Sequence, residues 1–131
     1  MHQEFHLGTI EHSSRGSETV SLPPGEFLFR EGDAADALYI VKTGVLRVMS
    51  GSTIYETVGA GGIIGEMAIV DEGSLRSASV ITVTYAQLTK IERAGFLSLI
   101  ADEPDFALVV MRAMARRLRV MNGRYRPTAG W

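Results

Sequence analysis

Apolar and polar positions change their pattern near residue 93 of the chain. Before it, short runs of β-type residues alternate with turns rich in Gly, Pro, Asp and Ser, which predicts an antiparallel β meander or barrel. The predicted strands cover residues 19–22, 27–29, 38–42, 45–50, 53–58, 77–84 and 86–92. A glycine-rich segment at 59–65 precedes an apolar stretch, Met67 to Val70, that predicts one helical turn.

Beyond Arg93 the apolar residues follow a helical period. The pattern predicts a short helix from Ala94 to Ile100 and a longer terminal helix from about Pro104 to Met121. Proline suits the first turn of a helix, and the Asn122-Gly123 pair is a typical helix end. The carboxyl-terminal quarter of the chain is therefore expected to be helical.

The predicted terminal helix carries two apolar faces. One face has apolar residues at alternating spacings of four and three, as in a coiled coil: Ala107, Met111, Met114, Leu118 and Met121. The other face consists of Val109, Val110, Ala113 and Val120. Two interpretations follow. Either one face packs on the β region while the other meets a second copy in a homodimer, or both pack on a single core, since wide apolar stripes are normal.

The length of 131 residues fits one domain. We divide it into an arm or short helix at 1–18, a β region at 19–92, a hinge helix and terminal helix at 93–123, and a tail at 124–131. The absence of cysteine excludes a disulfide framework and a thiolate nucleophile. Without an apolar run of membrane-spanning length or a signal-peptide core, we expect a soluble, cytoplasmic protein with no membrane contact.

Charge is distributed unevenly along the chain. The net charge is −2, yet from Arg112 onward there are six arginines and no acidic residue. A basic helix is typical of a nucleic-acid contact or of a solvated face that complements the helix dipole. Because no aromatic residue interleaves these arginines before Tyr125, we do not expect DNA contact from this chain alone.

Catalytic chemistry has few candidate residues. The histidines are His2, His6 and His12, all in the polar arm, so a catalytic triad or a metal site would lack partners on rigid elements. We therefore expect no enzyme activity, no metal and no cofactor.

The segment at 61–78 carries the most informative pattern. Glycines at 61, 62 and 65 run into the predicted helical turn, which predicts free backbone N–H groups at Met67 and Ala68 facing an anion. The carboxylate of Glu66 suits a sugar hydroxyl, and the guanidinium of Arg76 suits a phosphate. The alternative is that Glu66 and Arg76 form a salt bridge that merely closes the loop.

Three stretches resemble the cyclic nucleotide-binding domain family. GEMAIVDEGSLRSASV resembles its phosphate-binding cassette, PPGEFLFREGDAADALYIVKTGVLRV its early strands, and DEPDFALVVMRAMARRLRVMNG the terminal helix of its catabolite activator branch. The resemblance covers roughly residues 19–123. It implies an eight-stranded β-roll of the jelly-roll type, mainly antiparallel β, with helices at its ends.

The resemblance also implies a role for each residue of the cassette. Gly65 makes the tight turn, and Glu66 accepts the ribose 2′-hydroxyl. Met67 and Ala68 contribute backbone amides, Arg76 pairs with the cyclic phosphate, and Ser77 adds a hydroxyl or amide to the same phosphate. The implied ligand is cAMP or cGMP, with cAMP preferred.

Two departures from the family pattern bear on these expectations. Where the catabolite activator branch places a Thr-Ser pair against adenine, this chain has Met121-Asn122, so Asn122 is the candidate for the base, with Arg116 and Arg117 one turn earlier. The 131 residues contain no winged-helix, kinase or channel domain after the terminal helix. If the sequence is complete, we expect an effector protein in trans; if it is an excised domain, the effector was removed with the rest of the chain. The alternatives are the sensor portion of a transcriptional regulator, or a dimerisation scaffold that does not bind nucleotide.

Overall fold

The computed structural model describes residues 17–123, with side chains through residue 119. The predicted arm and tail lie outside the described residues. Eight strands and three helices follow in chain order: β1 Ser17–Leu22, β2 Phe27–Phe29, β3 Ala37–Thr43, β4 Leu46–Ser50, β5 Thr53–Val58, β6 Ile63–Ile64, α1 Met67–Val70, β7 Ser79–Thr82, β8 Ala86–Glu92, α2 Arg93–Asp102 and α3 Asp105–Gly123.

The strands form two four-stranded antiparallel sheets. The first has the order β1-β8-β3-β6 and the second the order β2-β7-β4-β5. This confirms the expected eight-stranded β-roll with helices after it. The two sheets face each other without joining into a closed barrel.

Strand β3 explains how the protein builds two cores from one sheet. Alternate residues of a strand point to opposite faces. Tyr39 and Val41 lie in the core between the sheets, whereas Leu38 and Ile40 lie in a second core beneath the helices. Both faces are buried, which is why this strand reads as a continuous apolar run.

Helix α3 closes the second core. Phe106 and Val110, one turn apart, are almost fully buried against the outer face of the first sheet. Ile69 of α1 and Leu99 of α2 belong to the same cluster. The three helices are thus connected through one apolar cluster.

Two elements differ from the prediction. The glycine-rich segment contains β6, whose Ile63 and Ile64 pair with Ile40 and Tyr39 of β3. A two-residue strand among glycines gives no alternating pattern, so only its pairing with β3 defines it. Strand β7 is shorter than predicted, because residues 77–78 belong to the cassette loop and residues 83–84 to the turn before β8.

The loop before Arg76 is fixed by backbone pairing. The Arg76 N–H donates to the carbonyl of Asp33 at 2.8 Å, and the Gly32 N–H donates to the carbonyl of Arg76 at 2.8 Å. An isolated β-bridge joins Ala34 to Leu75 next to it. The backbone of Arg76 is therefore held by the β2–β3 connection.

Thr82 is a buried junction between β7 and the β1–β2 connection. Its hydroxyl donates to the carbonyl of Pro23 at 2.6 Å and accepts from the N–H of Glu26 at 2.9 Å. We expect Thr82→Val to lower the free energy of unfolding by about 1–3 kcal/mol, because it leaves these groups unpaired. Chemical denaturation measures this loss. Thr57→Val, at an exposed position of β5, is the control, and equal effects of the two substitutions would contradict the assignment.

Candidate functional site

A pocket lies between the cassette, the second sheet and the terminal helix. It holds about 430 Å³ of space between its walls, part of it open to solvent. The structure brings together at this pocket all but one of the residues that the sequence singled out: Gly65, Glu66, Met67, Ala68, Arg76 and Ser77. Arg117 of α3 and Phe29 of β2 also line the pocket, where Arg117 contacts Glu66 and Phe29 lies against the guanidinium of Arg76.

Gly65 is required by its backbone and by its neighbours. Its φ of +77° lies in the left-handed region, which favours glycine. A Cβ at this position would lie 2.5 Å from Nη1 of Arg76. Any side chain here would therefore both strain the turn and displace the guanidinium.

Arg76 lies across the floor of the pocket. Its Nη2 donates to the carbonyl of Ala37 at 2.8 Å, and its Nη1 donates to the carbonyl of Gly65 at 3.4 Å. The guanidinium carbon lies 4.0 Å from the centroid of the Phe29 ring, a cation–π distance. Its Nε is buried and has no hydrogen-bond partner within residues 17–123.

The charge of Arg76 is buried without a matching ion pair. Burial lowers the pKa of its guanidinium, while Tyr39 and the carboxylates of Asp36, Asp33 and Glu66 act in the opposite direction. Among the described residues, no carboxylate lies within ion-pair distance of it. A buried cation with only carbonyls and rings as partners is suited to receive an anion.

Glu66 is also buried, and its partner comes from the terminal helix. Its Oε2 accepts a hydrogen bond from Nη1 of Arg117 in an ion pair that is almost fully buried. The proposed loop-closing salt bridge between Glu66 and Arg76 is therefore wrong. Oε1 of Glu66 is buried without a hydrogen-bond partner in the described part of the chain.

A second carboxylate extends this ion pair into a cluster. Nη2 of Arg117 lies 3.4 Å from Oε1 of Glu56 and donates to the carbonyl of Ile63 at 3.1 Å. Arg116 donates from both terminal nitrogens to Oε2 of Glu56, each at 3.2 Å. Two arginines of α3 thus meet one carboxylate of β5 and one of the cassette.

The predicted backbone cradle needs one correction. The Ala68 N–H donates to the carbonyl of Gly65 at 3.1 Å, so it is engaged in the turn itself and is not free. The reason is geometric, because a single helical turn satisfies its own early amides by bonds to the residue three before. Met67 begins α1 with its side chain about half exposed.

The remaining predicted residues occupy less defined positions. Ser77 is exposed at the pocket wall, next to Arg76. Asn122 lies in the last turn of α3, and its side chain, like that of Met121, lies outside the described residues. Residues 17–123 contain no group of acidic or histidine side chains placed to hold a metal, and none of their helices has the length and apolar character to span a membrane.

Sequence reasoning missed three contributors to the site. The sequence pattern places Arg117 one turn before Asn122 but does not indicate its burial, although Arg117 falls on the buried face of α3, seven residues after Val110 and eleven after Phe106. An arginine on an apolar helix face is the signal that could have found it. Phe29 and Glu56 gave no such signal, because their roles depend on which strand faces the cassette.

Comparison with known proteins supports the resemblance. The model of the Cyclic nucleotide-binding domain matches residues 19–103. The CRP-like cAMP-activated global transcriptional regulator of Mycobacterium tuberculosis is 31% identical over 110 residues, which are 80% of this chain and 49% of that protein. The Cyclic AMP receptor protein of Thermus thermophilus is 35% identical over 102 residues, or 74% of this chain and 47% of that protein.

A solved structure gives the same result. The crystal structure of Thermus thermophilus Catabolite Activator Protein matches with a TM-score of 0.76 and 30% identity, over 88% of this chain and 56% of that one. The chain spans about half the length of these curated relatives. Because the family model covers residues 19–103 and includes the cassette, the chain belongs to the cyclic nucleotide-binding domain family.

Proposed function

We propose that this chain is a sensor module that binds a 3′,5′-cyclic nucleotide, with cAMP preferred over cGMP. The observation that carries the proposal is Arg76, a buried cation that faces the pocket without a carboxylate partner among the described residues. A cyclic phosphate carries one negative charge and acceptor oxygens, so it would satisfy both the charge and the unpartnered Nε.

Glu66 supports the same ligand from the other side of the pocket. Its free Oε1 is an acceptor without a donor, and the ribose 2′-hydroxyl supplies a donor. Since Arg117 already holds Oε2, the carboxylate can bind the hydroxyl without losing its counter-charge. Phosphate on Arg76 and hydroxyl on Glu66 together orient the sugar.

The base has a weaker set of partners. The Met121-Asn122 pair offers one side-chain amide where a hydroxyl pair would offer two donors, so we propose a modest preference for cAMP, about tenfold. Asn122 is the proposed base contact.

Signal output is proposed to pass through the terminal helix. Ile69 of α1 packs in one core with Leu99 of α2 and Phe106 of α3. An inward shift of the cassette would therefore displace α2 and α3 as well. Arg117 adds a direct link from α3 to the pocket. A ligand with different contacts in two positions of the helix would shift their populations.

We propose a non-enzymatic module whose α3 movement is recognised by an effector, with a separate protein in trans as the first candidate. The two relatives named above are a transcriptional regulator and a receptor protein, so the sensor portion of a transcriptional regulator is the second candidate. A DNA-binding segment encoded in frame after residue 131 would favour it.

Calorimetric titration with cAMP and cGMP tests the binding function. We expect saturable binding of one nucleotide per chain, and Arg76→Lys should weaken it at least tenfold, since a lysine loses the fork of donors, a loss of about 1.5–3 kcal/mol.

Arg30→Lys is the matched control, because Arg30 also lies over a phenylalanine ring, at 4.2 Å from the centroid of Phe27, but is exposed. Absence of binding to either nucleotide would overturn the proposed function. Equal binding by wild type and Arg76→Lys would remove Arg76 from the site.

Glu66→Gln is expected to reduce discrimination between cAMP and 2′-deoxy-cAMP. The charged acceptor for the hydroxyl is lost, so the ratio of the two dissociation constants should fall about fivefold or more. The ratio is measured by titration of both ligands into both proteins. An equal loss of affinity for the two ligands would instead indicate a structural role for Glu66.

Self-association through α3 is the proposed dimer contact. Leu108, Met111 and Leu118 are about half exposed on one face of the helix. Together with the exposed Ala115 they form an apolar stripe at heptad spacing. Met114, which the sequence placed in this seam, is instead partly buried against the helical core. The proposed contact therefore keeps Met111 and Leu118 of the predicted seam and replaces Ala107 and Met114 by their neighbours Leu108 and Ala115.

Sedimentation across a protein-concentration and salt series tests this contact. We expect a dimer that strengthens with salt, because screening weakens the repulsion between the arginines of two helices. Leu118→Glu should shift the equilibrium to monomer. Leu97→Glu, at a half-exposed position of α2 away from the stripe, is the control. A monomer at every concentration and salt would contradict the proposal.

A further inference from the structure

The carboxylate of Glu56 belongs to a chain of ion pairs that leads from the surface to the pocket. It receives both terminal nitrogens of Arg116 and one of Arg117, while the other nitrogen of Arg117 holds Glu66. The side chain of Glu56 is 16% exposed and that of Arg116 is 52% exposed. The order from surface to pocket is therefore Arg116, Glu56, Arg117, Glu66.

The charges of this cluster fix the orientation of Arg117. A guanidinium is a planar fork, so placing one nitrogen determines where the others point. Glu56 and the carbonyl of Ile63 hold Nη2 of Arg117, and this leaves Nη1 directed at Glu66. Without Glu56, the fork would keep its partner in the cassette but lose the charged contact that fixes its plane.

The orientation of Glu66 depends on Arg117 in turn. Oε2 is bound by the guanidinium, and Oε1 is the buried oxygen that remains without a partner among the described residues. The two oxygens are equivalent, so a half turn changes nothing, but a partial rotation of the carboxylate plane would turn the unpartnered oxygen away from its direction. A fixed Arg117 therefore keeps one oxygen available to the pocket.

From these contacts we infer that Glu56 is a positioning residue for ribose recognition. It acts through Arg117 to hold Oε1 of Glu66 toward the 2′-hydroxyl of the ligand. The inference rests on the proposed function and assigns to β5, a strand outside the cassette, a part in selecting a ribose over a 2′-deoxyribose.

The experiment titrates cAMP and 2′-deoxy-cAMP into wild type, Glu56→Gln and Arg116→Gln. We expect Glu56→Gln to weaken cAMP binding about threefold or more and to leave 2′-deoxy-cAMP binding nearly unchanged. The interaction energy between neighbouring, coupled side chains typically corresponds to a change of at least this size in the dissociation constant. Arg116→Gln removes an exposed ion pair but keeps the Glu56–Arg117 contact, so it should change neither dissociation constant by more than about twofold.

A double-mutant cycle identifies the route. In an Arg117→Met background, Glu56→Gln should cause no further loss of cAMP affinity, because its effect passes through Arg117. Glu92→Gln is the control for the loss of a paired strand carboxylate outside this cluster, since Glu92 pairs with Lys90 at 3.9 Å on β8. Thermal unfolding of each variant checks that the fold is retained.

The outcomes separate the two proposals. If wild type binds neither ligand, the proposed function fails. If wild type prefers cAMP over 2′-deoxy-cAMP and Glu56→Gln retains the full preference, the inference about Glu56 is wrong. Equal losses from Glu56→Gln and Arg116→Gln, or equal losses for both ligands, would show that Glu56 only anchors α3 on β5, and this also overturns the inference.

Discussion

The buried ion pair between Glu66 and Arg117 joins the two halves of the structure. One partner begins the helical turn of the cassette and the other lies in the terminal helix, 51 residues later in the chain. Burying a carboxylate and a guanidinium costs solvation free energy, and removing one partner typically costs about 3–5 kcal/mol because the other charge stays behind. The position of α3 is therefore tied to the position of the cassette, which a purely apolar contact would not specify as sharply.

The second buried cation has a different balance. Arg76 is surrounded by carbonyl oxygens and the ring of Phe29, which offset part of its desolvation without neutralising its charge. The β2–β3 connection holds its backbone, and Gly65 leaves room for its guanidinium. These contacts fix the position of the guanidinium, and its unneutralised charge suits it to an anionic ligand. Removing this charge would relieve a desolvation cost and so stabilise the fold, as is common for residues that a protein keeps for binding and not for stability.

The terminal helix has to satisfy two environments at once. Phe106 and Val110 are buried against the first sheet, while Leu108, Met111 and Leu118 remain about half exposed on another face. Arg117 lies on the same buried face as Phe106 and Val110, so this face ends in a charged side chain. This arrangement lets the same helix contribute to the core and reach the pocket, and it leaves an apolar face for the proposed self-association.

The sequence by itself determined most of the architecture. Alternation and turn residues located seven of the strands to within a few residues, and helical spacing located α1, α2 and α3, because these signals are local in the chain. The local pattern also indicates Glu66, Met67, Ala68 and Arg76 as candidate site residues, whereas Gly65 and Ser77 are candidates through the family resemblance. Only the tertiary structure decided that Ile63 and Ile64 form a strand, that Phe29 lies under Arg76, and that Glu66 pairs with Arg117 and not with Arg76. Each of these contacts joins residues far apart in the chain, so it depends on how the sheets and helices pack.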